Sequence, residues 1–313
     1  YNVAIGDEAL GTDTKGSNNI AIGQGALLNQ NFTTATASYN TAVGHAAGNQ
    51  ITSGKHNTIL GGLAGDAITS GDENIAIGKE ALTTNQAGFK NVAIGSGALK
   101  LMTAATDSDT FNIAIGHDAG AAMTSGTRNV LMGAEAGDAM TYGANNTAIG
   151  HMALTANVGG GGNTAIGYQA LEFHTIATNT DTFNCGFGMR AGRDITSGIY
   201  NTCVGKDSGT SLTDADGNVS VGYQSLFTDE LGTGSVAVGV TALYSQNYST
   251  GTAAYNVALG HSAGYNITTG VYNTCIGSRA GSTNVQTGSY NIVLGVDGYL
   301  SGSTGGYQIV IGN

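Results

Sequence analysis

A nine-residue phrase, Asn-x-Ala-Ile-Gly-x-x-Ala-(Leu/Gly), opens eighteen times between Asn2 and Gln308. It begins at Asn2, Asn19, Asn40, Asn57, Asn74, Asn91, Asn112, Asn129, Asn146, Asn163, Asn184, Asn201, Asn218, Ser235, Asn256, Asn273, Asn291 and Gln308. The step is 17 residues, lengthened to 21 on reaching Asn40, Asn112, Asn184 and Asn256 and to 18 on reaching Asn291, so the long step returns every 72 residues. A short period nested in a longer one is the signature of stacked coils, because each repeat can bury its apolar face only against its neighbours. The chain is therefore expected to form an all-β, parallel β-roll or β-solenoid of about 18 coils, one repeat domain spanning 1–313, with every fourth coil enlarged by a loop.

Composition agrees with such a stack. The chain has 52 Gly, no Pro and no Trp. A coil hydrogen-bonded to both neighbours has few places where a missing N–H is tolerated. Hydrophobic residues make up 41% and charged residues only 10%, which separates the chain from a disordered Gly-rich linker. The net charge of −11, with no basic run, excludes a surface that tracks nucleic-acid phosphates. No run of about 18 apolar residues is present to span a bilayer, and the sequence shows no basic n-region followed by an apolar h-region. Cys185, Cys203 and Cys275 fall at strand positions of the repeat and read as small buried hydrophobes rather than reactive thiols.

Each position of the repeat, counted from the Asn, implies a role. Position 1 is Asn in sixteen of the eighteen coils, which predicts a ladder of side-chain amides about 4.8 Å apart. Position 2 carries Val, Ile, Thr or Cys and position 4 is always apolar; the two share one strand face, expected to be the coil interior. Position 3 is usually Ala and points the other way. A strand with one wet face alternates apolar with polar, so both faces are expected to be covered, the second by another copy of the chain. Position 5 is Gly in every coil, as a positive φ or a close backbone neighbour demands. A second Gly near position 15 suggests two strands and two turns per coil, a flattened roll, with a three-sided prism as the alternative.

The 21-residue coils end in long segments, 28–39, 100–111, 172–183 and 244–255, rich in Thr, Ser and Asn. At about 4.8 Å per coil these loops would recur roughly every 19 Å along a rod of roughly 80 to 90 Å. Their aromatics Phe32, Phe173, Tyr244 and Tyr248 are the candidate contact residues, since aromatic faces suit sugar stacking and interface anchoring; packing against the shaft is the competing role.

The phrase as written in Asn19-Ile20-Ala21-Ile22-Gly23 resembles the head repeats of trimeric autotransporter adhesins. The stretch Asn163-Thr164-Ala165-Ile166-Gly167-Tyr168-Gln169-Ala170-Leu171 is more similar to the arrays of bacteriophage tail fibres. The resemblance covers essentially the whole chain. It implies a left-handed parallel β-roll, three chains side by side about a threefold axis, and a place in a virion or on a cell surface. Adhesin heads repeat at shorter spacing, so the steps of 17 and 21 fit phage-type arrays better. The expected function is a structural and adhesive segment of a homotrimeric fibre that touches a host-surface glycan or protein. Two alternatives stay open: an adhesin head, and an extracellular filament whose uncapped repeats associate end to end.

Little else carries chemistry. Four histidines, His45, His117, His151 and His261, occupy position 6. Of these, His45, His117 and His261 share one coil type and are candidate metal ligands only if threefold symmetry gathers three copies; a locally bonded turn histidine is the simpler role. Asp214-Ala215-Asp216-Gly217 lacks the rest of a calcium loop and reads as a solvated turn. No His–carboxylate constellation, nucleophile elbow or phosphate loop breaks the repeat, so the chain is read as non-enzymatic and without a cofactor.

Overall fold

The computed structural model describes residues 1–103, 108–178, 180–283 and 286–312. The chain divides into two units, Tyr1–Gly159 and Gly160–Asn313. Both are β-solenoids, with no helix among the described residues. The first unit stacks nine three-residue strands from Val3–Ile5 to Thr147–Ile149, and the second stacks nine from Thr164–Ile166 to Ile309–Ile311. Neighbouring strands are parallel and in repeat register, as in Val3↔Ile20, Ile20↔Thr41 and Thr41↔Thr58. Each coil carries one such strand rather than two. The opposite side is built of turns whose N–H groups bond to the next coil, for example Leu27 to Ala47 at 3.1 Å.

Two-residue strands occur only around the long coils. Gly16–Ser17 pairs with Thr36–Ala37 and Gly88–Phe89 with Ser108–Asp109 in the first unit. In the second unit Gly160–Gly161 pairs with Thr180–Asp181, and Gly232–Thr233 with Thr252–Ala253. Each long segment is thus tied to the preceding coil by a short parallel pairing before the next repeat begins.

The strand faces are reversed from the sequence expectation. Position 3 points inward: Ala21, Ala42, Ala76, Ala93, Ala165 and Ala237 are completely buried. Positions 2 and 4 point outward, leaving Ile20, Leu60, Met132, Leu259 and Ile276 exposed. The physical reason is the thinness of the coil. Across from the strand stand Ala at position 8 and one large side chain, and that pair leaves room for little more than a methyl group.

The large side chain arrives in one of two ways. In Leu-type coils it stands at position 9, as in Leu27, Leu82, Leu154 and Leu226, all buried at positive φ between 45° and 56°. In Gly-type coils position 9 is Gly and the volume comes from position 12: Ile51, Ile68, Met123, Met140, Ile195, Leu212 and Ile267. A Cβ on Gly48 would lie 2.9 Å from Ile59 Cδ1 and 3.0 Å from Ile51 Cδ1, so the two arrangements exclude each other. The missing Leu also admits a larger residue at position 3 of every second Gly-type coil, namely Ile59, Leu131, Cys203 and Cys275. Both of these thiols are buried and pushed up to about 12 by desolvation, which keeps them protonated.

The Asn ladder seals one edge of the coil. In most coils Oδ1 accepts the main-chain N–H of the next repeat's first residue, as Asn40 does for Asn57 at 2.9 Å, and Nδ2 commonly donates to a carbonyl fourteen residues on, as Asn57 does to Gly71 at 2.9 Å. The bond also crosses a long coil, from the N–H of Asn40 to Asn19 at 3.0 Å. Such pairing is what makes a row of buried amides tolerable.

Candidate functional site

The outward strand face is the most extensive unusual surface. None of the 36 side chains at positions 2 and 4, two in each of eighteen coils, is charged. On each unit these residues line up at the strand repeat, so half-buried to exposed Ile, Val, Leu and Thr form an uncharged, largely apolar stripe. Contiguous apolar surface of this kind marks an interaction face.

A second feature lies beside the first long segment, where Phe32, Phe89, Asn31, Thr34, Lys55 and Asp72 line a groove of about 380 Å³. Its rim is held by main-chain bonds: Lys15 Nζ donates to the Thr33 carbonyl at 2.7 Å, and the Lys55 N–H donates to Asp72 Oδ1 at 2.7 Å. Two aromatic residues, several hydroxyls, one cation and one anion in the lining suit a polyhydroxylated ligand better than a strongly charged one.

The loop aromatics divide. Phe32 is only 7% exposed and forms a wall of that groove. Tyr248 is 4% exposed, with its hydroxyl donating to the Gly270 carbonyl at 2.6 Å and accepting from Asn256 Nδ2 at 3.1 Å. The packing role therefore holds for Tyr248, whose hydroxyl closes the polar end of the coil. Phe173 is 45% exposed, and its main-chain N–H is bonded to the Arg193 carbonyl of the next coil at 2.9 Å. Tyr244 is half-buried, sandwiched between Phe227 at 5.2 Å and Tyr265 at 5.0 Å, so both of its faces are covered. Phe227 and Tyr265 were missed because they lie at position 10 of ordinary coils; aromatics recurring there at 227, 244 and 265 were the available signal.

Aromatics before the repeat Asn form a second column. Tyr255, Tyr272, Tyr290 and Tyr307 follow one another at 5.5, 5.0 and 4.9 Å. All four are exposed; Tyr290 is stacked on both sides, within 6° of Tyr272 and 3° of Tyr307, while Tyr255 is tilted by 36° against Tyr272. Their left-handed backbone persists because each N–H bonds to the coil before, as in Tyr272 to Ala254 at 2.8 Å.

His45, His117 and His261 are exposed on separate coils, and His117 Nδ1 lies 3.3 Å from Asp118 Oδ2. Among the described residues no three His, Cys, Asp or Glu side chains are grouped to hold a metal ion. Asp214 and Asp216 are spent on the neighbouring coil, accepting from Ser197 Oγ at 2.7 Å and the Ile199 N–H at 2.8 Å.

Inside the coils a polar row replaces position 12 of the Leu-type coils: Gln30, Asn85, Asn157, His174, Asp229 and Gln246, all fully buried. Gln246 Nε2 donates to Asp229 Oδ2 at 2.6 Å, and Gln30 repeats this toward Asp13 at 3.0 Å. Burial pushes the Asp229 carboxyl up to about 6, against the lowering effect of its bonds from Gln246 and the Gly232 N–H. Burial alone depresses His174 to about 4, and among the described residues neither ring nitrogen has a hydrogen-bond partner. Among the described residues no helix is long and apolar enough to cross a membrane. No family model, curated protein or solved structure matches the chain.

Proposed function

We propose that this chain is a structural and adhesive segment of a homotrimeric fibre, of the kind found in bacteriophage tail fibres, that contacts a host-surface glycan or protein. One observation carries the reading: the outward face of the strands is apolar, free of charge and repeated at the pitch of the coil. A partner for such a stripe must be equally long, apolar and of the same period. A second copy of the chain meets those terms, and side-by-side copies bury Ile, Val and Leu that otherwise face water. The similarity of the repeat phrase and its steps of 17 and 21 residues to phage-type arrays supports the fibre context and the threefold number. Stiffness follows from the parallel ladders, and the groove beside Phe32 supplies a place for contact outside the shaft interface.

Sedimentation equilibrium of the purified chain tests the assembly. A discrete trimer is expected, and replacing exposed Leu60 and Leu259 by Asp should release monomers that keep their β circular dichroism. A wild-type chain that sediments as a monomer at micromolar concentration overturns the reading.

A further inference from the structure

The aromatic column at position 10 ends abruptly. Phe227, Tyr244 and Tyr265 stand on successive coils with ring planes within 11° and 4° of parallel. In the next coil the equivalent residue is Ser282. The register is fixed one residue earlier, where the Gly264 N–H donates to the Ala280 carbonyl at 2.8 Å. A hydroxymethyl group cannot cover a phenol ring. One face of Tyr265 therefore borders a groove of about 280 Å³ that Ser262, Asn266, Arg279, Ser282 and Thr283 complete.

The polar members of this groove are already held in place. Arg279 is clamped by Asp297, with Nε to Oδ1 at 2.5 Å and Nη2 to Oδ2 at 2.6 Å. Asn266 Nδ2 donates to the Ser282 carbonyl at 2.6 Å, and Ser262 Oγ lies 2.9 Å from Thr241 Oγ1. Ligand binding here would order few side chains, which lowers its entropic cost. The Arg279–Asp297 pairing also cancels the guanidinium charge, so the groove selects for polarity rather than for an anion.

We propose that this groove binds one pyranose ring of a glycan, its C–H face against the open face of Tyr265 and its hydroxyls toward Ser262, Arg279 and Thr283. The negative face of the tyrosine ring attracts the weakly positive C–H groups on one side of a sugar. The groove is sized for a single six-membered ring with its substituents. A ligand with an apolar face, a polar edge all round and a solvated far side matches an aromatic floor with a polar rim. The proposal deepens the adhesive reading above and rests on it, while placing a contact on ordinary coils that stack directly on the long coil carrying Tyr244.

Saturation-transfer NMR with the methyl glycosides of glucose, galactose, mannose and N-acetylglucosamine, at millimolar concentration, tests it on the full chain. At least one glycoside should receive saturation from the tyrosine rings. Ser282→Tyr extends the column and covers Tyr265, so it should weaken that glycoside at least about tenfold. Ser282→Ala leaves the face open and should leave binding unchanged. Tyr265→Ala removes the floor and serves as the second test should Ser282→Tyr misfold; it should also weaken binding. No transfer to any of the four glycosides, or undiminished transfer in Ser282→Tyr, overturns the proposal. A trimer that binds whole host cells equally well with and without Ser282→Tyr sinks this site alone, whereas a monomeric wild type sinks the fibre reading.

Discussion

Asn57 accepts the main-chain N–H of Asn74 through its side-chain oxygen at 3.0 Å, and Asn74 does the same for Asn91 at 3.0 Å. Because Asn74 Nδ2 also bonds to the Gly88 carbonyl at 2.9 Å, one buried amide closes its own coil and docks the next. Asn74→Ala leaves the buried Asn91 N–H without its partner and removes one of two donors to the Gly88 carbonyl, which keeps Asn85 Nδ2 at 3.0 Å. It should cost about 1 to 3 kcal/mol, the range for one orphaned buried group, read by urea denaturation.

Gly78 should not tolerate a methyl group. Its φ is +127°, and a Cβ would sit 2.6 Å from the carbonyl carbon and oxygen of Gly95. Those atoms are backbone and cannot yield, so Gly78→Ala should cost more than about 3 kcal/mol or prevent folding. Gly62, one position further round its turn, has nothing within 4 Å of its Cβ site, and Gly62→Ala should change stability by less than about 1 kcal/mol.

The Asp229 carboxyl is held at about 6 when folded, against 3.8 in an unstructured chain. Between those values the folded state keeps a proton that the unfolded chain releases, so stability falls as pH rises through the window, by roughly 3 kcal/mol in all. The chain carries its own remedy 144 residues earlier, where Asn85 and Met102 occupy the equivalent places. Installing that pair as Asp229→Asn with Gln246→Met should abolish this contribution. Relative to wild type, the double variant should gain roughly 3 kcal/mol between pH 4 and pH 7 in denaturant midpoints. Asp229→Asn alone should gain less, because its amide would face the Gln246 amide donor to donor.

His174 acts in the opposite sense. Folded it titrates near 4, unfolded near 6.5, so the unfolded chain binds the proton first and stability falls as pH drops from about 6.5 to about 4. The two windows overlap and nearly cancel. Wild type should therefore show a shallow stability profile from these two groups, while His174→Met, which copies Met102, should expose the loss of stability with rising pH caused by Asp229. A His174→Met profile as flat as wild type would contradict this account.

Much of the fold was legible in the phrase itself. The repeat set the solenoid and its register, and the recurring Asn and invariant Gly announced a ladder and a tight backbone approach. The strand faces were not legible from hydrophobicity, because Ile at positions 2 and 4 outweighs Ala at position 3 on any scale. What decides the matter is volume: Leu27 opposite Ala21 fills a coil that has no room for Ile20 and Ile22 as well. The complementary swap of Leu27 and Gln30 for Gly48 and Ile51 was readable and would have placed position 3 inside.

The candidate contacts were harder. Phe32 and Tyr248 sit in segments with a loop's composition, and nothing local reveals that the chain is tied back over them. Tyr244 was singled out for its loop, yet its neighbours at 227 and 265 determine its surroundings. In a solenoid the nearest residue in space is one repeat away in sequence, so aromatic clusters must be sought column by column.

The two ways of filling a coil have a consequence for how such a chain can change length. Two Leu-type coils, one of them long, are followed by two Gly-type coils, and each Gly opens space that a neighbour's Ile59, Leu131 or Cys203 occupies. Removing a single repeat would set mismatched partners against each other and leave either a void or a collision. Only a deletion or duplication of 72 residues restores every junction, so solenoids of this design should grow and shrink in quanta of four coils, with the gene as their gauge.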